Sequence, residues 1–113
     1  MKTVYLAGKI TNDPDYKEKF KAAEDFLNEH GGFAVLNPAI LPQEGFEYAA
    51  YIRMSMAMLK ECQAACFLPG WKDSPGARDE FDLAKVQGID IYFLEGGNLR
   101  KCNEYKKTPL NGD

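Results

Sequence analysis

Leu68-Pro69-Gly70-Trp71-Lys72-Asp73-Ser74-Pro75-Gly76-Ala77-Arg78-Asp79-Glu80 is the stretch on which the reading of this chain turns. It runs from the end of a buried strand, through a glycine-bearing loop, into a helix entered at Ser74-Pro75. Serine as cap and proline at the first helical position form a strong start signal. The N-terminus of such a helix offers unpaired N–H groups and partial positive charge, which suits an anion. Glu80 falls about one and a half turns further on. It shares a face with Ala77, Leu83 and Ala84 at offsets of three and four, so it is expected to look inward.

Outward from this stretch, strands and helices alternate. Ala64-Ala65-Cys66-Phe67-Leu68 is a continuous apolar run, as in a central parallel strand. The helix from Ser74 to Gln87 stops at Gly88, and Ile89 to Leu94 reads as the next strand. Upstream, Thr3 to Ala7 is a β-prone run closed by Gly8. Asp13-Pro14 opens a helix carrying Tyr16, Phe20, Ala23 and Leu27, and Gly31-Gly32 ends it. His30 lies in its last turn, where the helix dipole favours a cation, and is left out of the site. Phe33 to Leu36 is a second strand ended by Asn37-Pro38. From about Phe46 to Cys62 a helix carries Tyr48, Ile52, Met56 and Leu59 on one stripe, with Met54 and Met58 on another. A stripe that wide exceeds one core, so helix 46–62 is also the expected interface of a homodimer or higher homo-oligomer.

The order predicts an α/β three-layer sandwich whose parallel, flavodoxin- or Rossmann-like sheet has four to five strands. Residues 1–96 form the domain, and the polar segment 97–113, with Lys101, Lys106 and Lys107, is read as an extension. In such sheets ligands bind beyond the carboxyl ends of the strands. Three segments converge there: Gly8 to Asn12, Asn37 to Leu41, and Pro69 to Glu80.

Bulk properties narrow the function. The chain has 113 residues, with 45% hydrophobic and 27% charged, values of an ordinary soluble domain. A net charge of −3 argues against nucleic acid as partner. No apolar run approaches a membrane span, and Met1-Lys2 leads directly into a strand, so no membrane partner and a cytoplasmic location are expected. Cys62, Cys66 and Cys102 fit no zinc spacing. Two read as small buried residues and one as a tail thiol, with neither disulfide nor metal, and no cofactor is implied.

The residues that carry chemistry each have a bland alternative. An inward Glu80 is either functional or a structural ion pair, for example with Lys9. Tyr5, near the end of the first strand, either orients that carboxylate or is core. Ser74 caps its helix, seats a phosphate, or does both in different states. Gly8 serves a turn or a close ligand approach. Trp71 stacks on a base or covers the sheet edge.

Val4-Tyr5-Leu6-Ala7-Gly8-Lys9-Ile10 resembles the opening of the nucleoside 2-deoxyribosyltransferase-like superfamily, which includes 2'-deoxynucleoside 5'-monophosphate N-glycosidases. The pattern continues in Asn37-Pro38-Ala39, Leu41-Pro42, Tyr51-Ile52-Arg53, and from Cys62-Gln63 through Leu68-Pro69-Gly70-Trp71 to Ser74, Gly76-Ala77 and Glu80. It spans residues 3 to about 94 and is nearest to a small phage- and prophage-type branch. The resemblance implies Glu80 as nucleophile, Tyr5 as its orienter and Ser74 as the serine of the phosphate loop. It further implies a substrate seat drawn from Gly8, Lys9, Ile10, Asn37, Ser55, Gly70, Trp71, Ser74, Gly76 and Ala77. The implied partner is a small-molecule nucleoside or nucleotide, whose N-glycosidic bond is hydrolysed or exchanged. Where the family carries an aspartate on the second long helix this chain has Ser55, and before the third strand it has Gln63. The segment Lys9-Ile10-Thr11-Asn12 also lacks the family's arginine-glycine run. A serine is no general acid near neutral pH. The other reading is therefore a catalytically weak or inactive protein that senses or sequesters a nucleotide.

Overall fold

Five short strands hydrogen-bond in the order β2-β1-β3-β4-β5 in the computed structural model, which describes residues 1–42 and 44–102. They are β1 (Thr3–Ala7), β2 (Ala34–Leu36), β3 (Ala64–Phe67), β4 (Asp90–Glu95) and β5 (Asn98–Lys101). The first four run parallel, and β5 returns antiparallel to β4. Three helices connect them: α1 (Tyr16–Phe26), α2 (Tyr48–Lys60) and α3 (Pro75–Gln87).

Alternation along the strands divides the core into two layers. Val4, Leu6, Ala64 and Cys66 face α1 and pack with Phe20, Ala23 and Leu27. Tyr5, Ala7, Ala65 and Phe67 face the other way, toward Leu59 of α2 and Ala84 of α3. Burying a side chain of the size of Phe20 contributes about 2–3 kcal/mol. The chain leaves β1 for β2 on one side and β3 for β4 on the other, so the crossover direction reverses between the adjacent strands β1 and β3. A crevice opens beyond their carboxyl ends at that point.

Several local details differ from the sequence reading. Asp13 does not cap α1; its carboxylate accepts from the Asp15 N–H at 2.9 Å and from Lys19 at 2.9 Å, making a side-chain turn ahead of the helix. The last turn widens to a π-turn, Leu27–Gly31, before Gly32 at φ 65°. His30 closes that turn with Nδ1 3.2 Å from the Phe26 carbonyl oxygen. The larger correction concerns the extension assigned to 97–113. It begins as strand β5, turned back at Gly96 and Gly97 (φ 55° and 78°), and Leu99 packs against the core. Cys102 is likewise no tail thiol. It is buried beside Ile91, whose carbonyl accepts the Cys102 N–H at 2.7 Å. Residues 103–113, with Lys106 and Lys107, lie outside the described residues. Among the described residues no helix is long and apolar enough to cross a membrane.

Candidate active site

Tyr5 points from β1 into the α2–α3 layer, and there its hydroxyl donates to Glu80 Oε2 at 2.5 Å. Tyr5 is 1% exposed and Glu80 6%. Helix α3 brings the carboxylate inward because Ala77, Glu80 and Ala84 form its buried face. Burial is the main influence on Glu80: it pushes the carboxyl from 4.5 up to about 7, against the Tyr5 hydrogen bond, which favours the ionised form. The Tyr5 phenol is raised well above its ordinary value, first by burial and then by the Glu80 charge. Ser55 is the buried polar residue of α2; its Oγ donates to the Ile52 carbonyl at 3.1 Å.

This trio lines a cavity of about 110 Å³, together with Gly8, Ile10, Thr11, Tyr48, Tyr51, Ile52, Ser74, Gly76 and Ala77. Gly8 sits at a close approach: a methyl group there would stand 3.2 Å from Leu68 Cβ and 3.3 Å from the Phe20 ring, so these neighbours would have to give by a few tenths of an ångström. Ile10, Thr11, Tyr48 and Tyr51 continue into a wider outer groove of about 700 Å³, which Tyr16 and Phe46 also line. Ser74 Oγ caps α3 by accepting from the Ala77 N–H at 3.1 Å.

Other residues of the expected seat lie elsewhere. Gly70 starts a 3₁₀ turn at φ 83°, and Trp71 joins an aromatic cluster, stacked on Phe81 at 4.8 Å and near Phe67 at 5.0 Å. The tryptophan covers the ends of β3 and β4, beside a separate groove. Lys9 lies with Asp13 and Lys19 on the α1 side. Asn37 Oδ1 accepts from the Ala39 N–H at 2.9 Å, and its amide donates to Glu24 at 3.0 Å. Gln63 clasps Thr3 at the opposite ends of the strands, so it is remote from the cavity.

Tyr48, Tyr51 and Thr11 were not assigned to the site from sequence. The signal for the first was present: Tyr48, Ile52 and Ser55 fall at i, i+4 and i+7 on one helical face. Among the described residues no group of three or more His, Cys, Asp or Glu could hold a metal ion.

The order and direction of the strands, with the cavity at the crossover reversal, give the fold of the nucleoside 2-deoxyribosyltransferase-like superfamily. The CMP N-glycosidase BcmB of Clostridium botulinum superposes with a TM-score of 0.59 at 25% identity, over 81% of this chain and 70% of that one. The 2-deoxyribosyltransferase of Bacillus psychrosaccharolyticus gives a TM-score of 0.63 at 18% identity, over 83% and 74%, a likeness of fold. The chain belongs to the family described as a domain of unknown function (DUF4406), which matches residues 2–93. No curated protein matches it.

Proposed function

We propose that this chain is an enzyme that breaks the N-glycosidic bond of a (deoxy)nucleoside or its 5'-monophosphate, with Glu80 as nucleophile. The observation that carries this reading is the buried Tyr5–Glu80 hydrogen bond in the cavity wall. A glutamate in so apolar a site costs stability, and a carboxylate aimed at a cavity gives that cost a purpose. The likeness to an N-glycosidase at 25% identity supports the same class of reaction.

One Glu80 oxygen forms a bond to C1' while the C1'–N bond breaks, through an oxocarbenium-like transition state. The bonding pair leaves with the base, which takes up a proton. The glycosyl ester on Glu80 is then opened at C1' by water, releasing sugar, or by a ring nitrogen of a second base, completing transfer. Tyr5 fixes the carboxylate rotamer by donating to Oε2, which leaves Oε1 to attack. The tight inner cavity fits the sugar, and the wide groove lined by Tyr16, Phe46, Tyr48 and Tyr51 fits the base. Glu44, whose charge acts on Tyr51, is the carboxyl assigned to protonate the leaving base. The reading also includes a homo-oligomer through helix 46–62, supported by Phe46 and Tyr48 at 56% and 60% exposed.

Ser55 favours a second reading. With a hydroxyl bonded to Ile52 where the family has an acid, the protein would bind a nucleotide without turning it over. Wild type and Glu80→Ala, incubated with ribo- and deoxyribonucleosides and their 5'-monophosphates, separate the two. Base released by wild type alone supports the enzyme; ligand stabilisation without release supports the binder.

A further inference from the structure

The cavity also bears on which of those substrates is used. Resting on the reading above, we infer that the ligand of the Glu80 cavity is an unphosphorylated nucleoside rather than its 5'-monophosphate.

A phosphate leaving water needs several donors or a cation in exchange. The first turn of α3 is the expected seat, and it is already filled from within. Pro75 has no N–H. The Ala77 N–H is taken by Ser74 Oγ at 3.1 Å, and the Arg78 N–H by the Ser74 carbonyl at 2.9 Å. Only the Gly76 N–H is left over among the described residues, and a single neutral donor does not replace the hydration of a phosphate.

Charge points the same way. Among the described residues no lysine or arginine lines the cavity. Lys9 lies in the groove on the α1 side with Asp13 and Lys19, and Arg78 donates to the Lys72 carbonyl at 2.6 Å. The charged side chain that does face the cavity is Glu80, four residues from Gly76 on the same helical face. A phosphate at that turn would face a like charge.

What the walls do offer is neutral hydroxyls. Thr11, Tyr48 and Ser74 carry hydroxyls that both donate and accept, as sugar hydroxyls require, and Ser55 adds an acceptor oxygen. Ser74 keeps its own proton free to donate while its oxygen caps the helix.

The test compares nucleosides with their matched 5'-monophosphates, same base and same sugar, as substrates by base release and as ligands by titration calorimetry. At least tenfold higher kcat/KM for a nucleoside than for its monophosphate is expected. Equal or faster release from the monophosphate overturns the inference and leaves the N-glycosidic reading intact. No release from either, with the nucleoside bound at least tenfold more tightly, overturns the enzymatic reading and keeps the inference about the ligand. No release with the monophosphate bound equally well or better, or with neither bound, overturns both.

Discussion

The Tyr5 phenol and the Glu80 carboxylate, 75 residues apart in sequence, meet through a 2.5 Å hydrogen bond inside the α2–α3 layer. The phenol is the donor, so it stabilises the ionised carboxylate against a burial that favours the neutral acid. Two opposed effects thus leave Glu80 titrating at about 7.

Because attack requires the carboxylate, base release should rise with pH through about 7 and level off above it. Glu80→Gln should lower kcat by about a thousandfold or more. A wild-type kcat/KM that stays flat between pH 5 and 9 would remove Glu80 as nucleophile.

The same shift acts on folding with a definite sign. The folded-state value lies above the 4.5 of the unfolded chain, so stability is fully present below pH 4.5 and lost as pH rises through 7. The shift corresponds to at most about 3 kcal/mol. Glu80→Gln should therefore gain in Tm over wild type at pH 9 and much less at pH 5. Equal gaps at the two pH values would mean that the buried charge costs nothing.

Tyr5→Phe removes a donor to the ionised form. The rising limb should move to higher pH, with kcat reduced about ten- to hundredfold and KM little changed. A reduced kcat with an unmoved limb would make Tyr5 a packing residue only.

Ser74→Ala should cost about 1 kcal/mol, because the Ala77 N–H loses its cap. In a domain of this size that is a fall in Tm of about 4 °C. An unchanged Tm would mean that Ser74 is held for a ligand rather than for the helix.

Met54 lies partly buried on α2, on the helix proposed as the subunit interface. Met54→Glu should convert an oligomer to monomer on size exclusion. Elution at the wild-type volume would shift the interface to another surface.

Much of this was legible in the sequence because it rests on local signals. Ser74-Pro75 and Gly88 bound α3 as read, the latter at φ 69°. The continuous apolar run at Ala64 marks the central strand β3. Glu80 and Tyr5 could be brought together because helical and strand periodicity each fix a side chain's face. What local patterns do not give is tertiary contact. Trp71 has a loop neighbourhood typical of a ligand contact, yet Phe67, Phe81 and Phe93 offer it an apolar berth that no local pattern reveals. Lys9 and Asn37 sit at strand ends near the cavity in sequence, but their partners lie on the α1 side. Strand β5 is rich in polar residues, so it carries no apolar alternation to announce it.

That fifth strand protects the protein from itself. Without Asn98–Lys101, β4 would present a bare row of N–H and C=O groups flanked by Ile91 and Phe93, an open template for another chain. The two-glycine turn supplies the positive φ angles that a tight hairpin needs, and it folds the chain back over this edge. Arg100 and Lys101 then give the outermost strand cationic side chains that discourage further pairing. A chain cut after Gly96 would keep every residue that lines the Tyr5–Glu80 cavity and lose this cover, so edge protection and the cavity are written into separate parts of the sequence.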